Sequence, residues 1–395
     1  MRGTPPAPLY GCRYVEPRID LMSSGRSRPS RSESSAVVRL LRIILPLVPL
    51  LAACSGSAAA PAAAPSPSPA KPLALLPTET ALGNARQITF GGNNAEAYWA
   101  RSGTKLIFQR QEKNDEGCDQ QYVINADGSD MRRVSSGKGR TTCGYFWDGD
   151  RKIIYASSQA FEQGCPASPD KSAGYVWPLN VLDLWTADAD GRNEKRLTTD
   201  ATYNAEATLS PDGKRLIFTS MRDGDLEIYT MKIDGTDIRR ITNRLGYDGG
   251  PFYSHDGKSI VWRAGYPVTA KDSTDYKGLL AQRLVRPAKM ELWVADADGR
   301  NARQITNLGG ANFAPYFTPD DRQIIFSSNH PNPRSRNFDL FVVNRDGTGL
   351  KQITFDPEFD GFPQFSPNGK QLVWASNRNA SREGDTNLFI ADWLP

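Results

Sequence analysis

Ala205–Thr242 reads AEATLSPDGKRLIFTSMRDGDLEIYTMKIDGTDIRRIT, and its turns decide the fold. Two short apolar–polar alternations, EATLS and RLIFTS, flank the turn PDGK (211–214). Two more, LEIYTMKI and IRRIT, flank DGT (234–236). Asp-Gly between alternating segments is a strong short-range hairpin signal, so the stretch predicts four antiparallel strands in sequence. The frame recurs. Its first turn returns as RSGTK (101–105), DGDRK (148–152), HDGKS (255–259), PDDRQ (319–323) and PNGKQ (367–371). Its second returns as ADGS (126–129), ADGR (189–192), ADGR (297–300) and RDGT (345–348).

Outward from these repeats, the pentapeptide ARQIT stands at 302–306 as a fourth strand and again at 85–89, ahead of any repeat. The last repeat stops at NLFIADWLP and lacks a fourth strand. Consecutive four-stranded units build a propeller, and an unclosed ring would leave an open strand edge. The expectation is therefore an all-β fold: a six-bladed β-propeller with four-stranded antiparallel blades over 85–395. The N-terminal strand 85–89 joins the last blade to close the ring. These repeats, SPDGKRLIFTS, EIYTMKIDGT and RRIT, resemble the TolB-type six-bladed propeller family, and are also similar to the propeller domains of prolyl-oligopeptidase-type peptidases. The chain departs from both. A tether stands where TolB has an α/β domain, and no segment remains for a hydrolase domain. The resemblance implies a protein-interaction module of the cell envelope.

The net charge of +4 suggests a polyanion partner until its distribution is considered. Residues 1–53 hold eight arginines, no lysine and three acids, which leaves 40 basic and 41 acidic residues beyond them. A nucleic-acid footprint needs a basic patch on the folded part, so no nucleic-acid partner is expected. Arg39 and Arg42 precede the eleven-residue apolar run 43–53. A bilayer span needs about 20 residues, so this is a signal h-region. It ends LAAC at Leu51–Cys54, which resembles a bacterial lipobox and makes Cys54 the lipidation site. Met22 offers a second start codon. Residues 54–84 are rich in Ala, Pro and Ser, the composition of a tether. The expected location is the bacterial cell envelope, lipid-anchored, facing periplasm or surface, with a monomeric propeller and an envelope protein as partner.

The long insertions fall between strands two and three: 112–118, 160–181, 265–289, 330–337 and 378–385. All lie on one face of a propeller, and long loops concentrate function. Arg140, Tyr175, Trp177, His330 and Arg378 are expected on this face as binding residues, together with Arg334 and Arg336. In 265–289, Asp272, Ser273 or Thr274 can cap a short helix whose Leu279, Leu280 and Leu284 suit either a partner surface or a lid. Aligned repeats place Asn94, Thr141, Asn204, Asp248, Asn312 and Asp360 at the start of the six inner strands. They could form a ring binding a cation, waters or a peptide end at the channel mouth, or each could cap its own strand start. The first option belongs to an alternative reading, a small-ligand or glycan-binding protein or a hydrolase or lyase. Of the cysteines beyond Cys12 and Cys54, Cys118 and Cys143 form the expected disulfide, with Cys165 spare.

No catalytic or metal motif emerges. The two histidines, His255 and His330, assemble no Ser-His-Asp set, and neither G-x-S-x-G nor H-E-x-x-H occurs. DADGRN at 188–193 and 296–301 lacks the acids of a calcium loop, with Thr199 and Asn307 at its twelfth position. No catalysis, cofactor or metal is expected.

Overall fold

The computed structural model describes residues 70–112, 117–167, 169 and 174–394. The signal segment, Cys54 and most of the tether lie outside the described residues. Six four-stranded antiparallel blades account for nearly all the regular structure, each laid down from the channel outward. Blade one comprises Asn93–Trp99, Lys105–Gln111, Gln120–Asn125 and Arg132–Arg133. Blade two comprises Thr141–Trp147, Lys152–Ser157, Asp183–Asp188 and Lys195–Arg196. Blade three is the opening stretch: Asn204–Leu209, Arg215–Ser220, Glu227–Lys232 and Arg239–Arg240. Blade four uses Tyr247–Tyr253, Ser259–Gly265, Glu291–Asp296 and Arg303–Gln304. Blade five uses Asn312–Phe317, Gln323–Ser328, Asp339–Asn344 and Lys351–Gln352.

Blade six combines both ends of the chain. Asp360–Phe365, Gln371–Ser376 and Asn387–Trp393 are its inner three strands, and Leu82–Gln87 pairs antiparallel with the third. The N-terminal strand thus begins three residues before ARQIT and ends inside it. Ile88 then donates its N–H to Leu388 O at 2.9 Å, as Ile305 does to Leu292 O in blade four. Lys71–Pro72 adds a short fifth strand. Residues 70–84 therefore pack on blade six and are not tether, a correction to the expected boundary. Their anchor is Glu79, buried against Arg378, where the apolar Leu73 and Leu75 also find the core.

The core lies between blades. Ile154 and Leu184 of blade two meet Leu216, Phe218 and Met231 of blade three, all essentially without exposure. Each such side chain contributes about 1.5–3 kcal/mol on burial, before the cost of ordering it. No helix among the described residues is long and apolar enough to cross a membrane.

Candidate functional site

Two long insertions fold over one end of the channel. Trp177–Pro178 from the blade-two insertion pairs antiparallel with Leu284–Val285 from the blade-four insertion. Under this ribbon, Leu179 and Val285 pack with Tyr247, Phe313 and Phe359, which come from or lead into blades four, five and six. The 265–289 insertion packs on the rim, as expected of a lid. Its helix is Ala270–Leu280, capped by Thr269 in a capping box with Asp272, one turn earlier than expected. Tyr276 Oη donates to Asp225 at 2.5 Å and fastens the helix to the rim, and Leu280 packs beneath it. Leu284 serves the ribbon instead.

The six inner-strand starts do form a ring, but one made by the protein for itself. Asn94, Thr141, Asn204, Asp248, Asn312 and Asp360 are all fully buried. Each donates its backbone N–H across the seam to the preceding blade, at 2.8–3.2 Å, from Asp360 to Phe338 O and from Asn312 to Met290 O. The Asn94, Asn204 and Asn312 amides repeat the contact to the same carbonyls. Strand-start chemistry is what these positions carry, with the acceptor in the neighbouring blade.

The expected loop-face residues divide. Tyr175 is exposed and accepts from Trp177 Nε1 at 3.1 Å. Trp177 lies in the ribbon, and His330 rests edge-on against Phe341. Arg140 and Arg378 are buried, which corrects their placement as open binding residues. Arg140 lies 3.8 Å from Asp119. Arg378 bridges Glu79 and Asp360; burial opposes its charge, but the two carboxylates hold it firmly protonated. His255 stays in its tight turn at the far face, 2.7 Å from Asp321.

The disulfide joins Cys118 to Cys165, not to Cys143. Cys143 sits on a bulge that turns its side chain to the channel axis, where Sγ donates to Glu96 Oε2 at 3.0 Å. Cys165 instead arrives on the insertion that crosses back over blade one. The bulge is general and was not legible from the repeats. Every inner strand shifts register two residues after its start. The residues there are Glu96, Cys143, Glu206, Gly250, Ala314 and Phe362, all with φ between 51° and 61°. A non-glycine residue in that region is strained, and strain held in five of six blades is a feature the surrounding structure imposes. The only sequence signal was positional: two ionisable residues, Glu96 and Glu206, two places after the polar strand start. Arg263, which the repeats also did not single out, pairs with Glu206 and donates to Tyr247 Oη.

Residues 168–266 match the family model described as TolB beta propeller domain. No curated protein matches the sequence significantly. Among solved structures, the putative TolB from Agrobacterium tumefaciens is 19% identical, with 76% of this chain and 91% of that chain covered and a TM-score of 0.51. TolB from Acinetobacter baumannii is 17% identical over 76% of this chain and 63% of its own, at a TM-score of 0.47. An oligogalacturonate lyase from Vibrio parahaemolyticus is 14% identical over 83% and 97%, at 0.49. At 19% identity the likeness to the Agrobacterium tumefaciens protein is one of fold. Residues 168–266 are thus similar to the TolB beta propeller domain, and they lie within a six-bladed β-propeller.

Proposed function

We propose that this protein is a tethered binding module of the cell envelope that engages a protein partner through its long-loop face. The carrying observation is the asymmetry of the two faces. Among the described residues one has only tight turns, while the other builds a ribbon, a capped helix and a disulfide-tied loop. The outer side of that added layer stays open. No residue of the helix Ala270–Leu280 is buried, Val268 is 90% exposed and Tyr175 44%. Aromatic and apolar groups presented on an ordered frame are the usual anchors of a protein interface. The lipobox-like front end and the match to the TolB beta propeller domain support the envelope location.

Photo-crosslinking in the native envelope tests this. A photoreactive residue at Tyr175 or Val268 is expected to trap one discrete protein adduct. The same group at Ile238, exposed in a turn of the opposite face, is expected to trap none. Equal adducts from both faces, or none from the loop face, would remove the reading.

A further inference from the structure

Beneath the ribbon, side chains from different blades meet at two levels. On the tight-turn side, aromatic rings meet across the axis: Tyr98 of blade one lies 5.9 Å from Phe252 of the opposite blade four and 5.6 Å from Tyr145. Phe252 lies 5.1 Å from Tyr316. On the ribbon side, the Trp177 ring covers the Arg263 guanidinium at 5.7 Å and meets Tyr247 edge-on. Between these two levels stand the bulge residues. Arg263 completes them, because a Cβ built at Gly250 would overlap its Nη1; the guanidinium fills the place of blade four's absent side chain. The level therefore presents Glu96, Cys143, Glu206 and Arg263 on one half and Ala314 and Phe362 on the other.

The charges there do not balance. Arg263 is matched to Glu206. Glu96 accepts from Cys143 Sγ and, at 3.4 Å, from Tyr98 Oη, and is in no ion pair among the described residues. Arg263 itself is only 7% exposed and leaves its Nε–H without an acceptor. Glu96 and Glu206 keep partial exposure although their strand neighbours Ala95 and Ala205 are buried, as side chains lining a water-sized space do. A carboxylate largely withdrawn from bulk water without a cation is costly, and a buried N–H without an acceptor adds to that cost.

We propose that this chamber binds a small organic cation, a primary ammonium on a short apolar body, with the ammonium on Glu96 and the body against Ala314 and Phe362. The ammonium supplies the missing positive charge, and an acceptor on the ligand or a carried water meets Arg263 Nε. A divalent metal is disfavoured, since no group of three metal-ligating side chains converges among the described residues. The proposal concerns the inside of the ring and is independent of any partner on its loop face.

Calorimetry on the purified chain tests it with phenethylamine and n-butylamine as probes and phenethyl alcohol as the neutral counterpart. One amine is expected to bind per chain, with the alcohol weaker by about tenfold or more, the scale of one charge-assisted hydrogen bond. Glu96→Gln is expected to weaken the amine by about the same factor. Burial, reinforced by Glu206 and opposed by the Cys143 contact and Arg263, raises the Glu96 carboxyl to about 7, and Asp119 and Tyr98 also face it. Amine affinity should therefore rise between about pH 6 and about pH 8 with release of a proton, and this dependence should vanish in Glu96→Gln. Should that variant fail to fold, the amine–alcohol comparison and the pH dependence of the unaltered chain decide alone. Absence of amine binding, equal binding of the alcohol, or pH-independent affinity would overturn the proposal.

Discussion

Aspartate begins the inner strand in blades four and six, and in those two blades alone the second strand carries tryptophan at the facing position. Trp262 Nε1 donates to Asp248 at 2.7 Å and Trp374 Nε1 to Asp360 at 3.1 Å. Where the second strand has Phe108, Tyr155, Phe218 or Phe326, the strand start is Asn94, Thr141, Asn204 or Asn312. A buried indole N–H requires an acceptor, and the strand start provides it. The two aspartates differ in one respect. Asp360 has Arg378, whereas Asp248 has only neutral donors, Trp262 and Tyr266, and burial drives its carboxyl well above the ordinary range. A carboxyl held protonated in the fold stabilises least at high pH, where the unfolded group, near about 3.9, has already ionised. Asp248→Asn keeps an acceptor for the indole and removes that penalty. It should raise Tm at about pH 8 while changing it little near pH 4. A fall in Tm at the higher pH would mean that Asp248 is ionised and paired. The sequence made these six positions visible through their alignment. It did not disclose that their partners lie in the next blade, because that contact exists only once the ring forms.

Blades one to five each reach their neighbour through one repeated element, the Asp-Gly turn between strands three and four. Gly128, Gly191, Gly235, Gly299 and Gly347 all have φ between 86° and 89°. Each also sits against the backbone that follows the outer strand of the preceding blade, from Ile88 through Val134, Leu197 and Ile241 to Ile305. The turn needs glycine twice over, for its left-handed φ and for that approach. Gly191→Ala would drive a Cβ into the Val134 carbonyl and should cost roughly 3 kcal/mol. Gly213→Ala, at φ 70° in a turn with open space around it, should cost only about 1 kcal/mol. Chemical denaturation of both variants checks the difference; equal losses would show that φ alone matters. At the same scale, the Cys118–Cys165 bridge closes a loop of 47 residues and holds the ribbon-bearing insertion to blade one. Chain entropy sets its contribution at about 4 kcal/mol as an upper figure. Non-reducing peptide mapping should recover the 118–165 pair and a Cys143 thiol that alkylates only after unfolding. Strand order and both turn families were legible because Asp-Gly and alternation are local signals. The bulges and the disulfide were not, since they follow from curvature and from a loop's path across a neighbour.

For the molecule as a whole, the joining of its ends rests on one buried ion cluster as well as on strand pairing. Glu79 and Asp360 flank Arg378, and Glu79 also accepts from the Phe355 N–H at 3.1 Å. Arg378→Met would strand two buried carboxylates and should cost about 3–5 kcal/mol. A chain begun at Asn93 would expose the outer edge of blade six, and should unfold at lower denaturant and self-associate compared with one begun at Ala70. Gel filtration and urea titration of the two chains check this; matched behaviour would show the leading strand to be dispensable. The sequence by itself determined the blade repeat, the count of six and the outer strand missing from the last, because hairpin signals act within about a dozen residues and a ring must satisfy its edges. It also separated the face of tight turns from the face of long loops. Only the tertiary structure decided which polar residues are consumed at the seams, which cysteines meet, and that Glu96, Cys143, Glu206 and Arg263 gather on the axis. Those outcomes depend on the closure of the ring, which brings together side chains more than a hundred residues apart and turns them away from water.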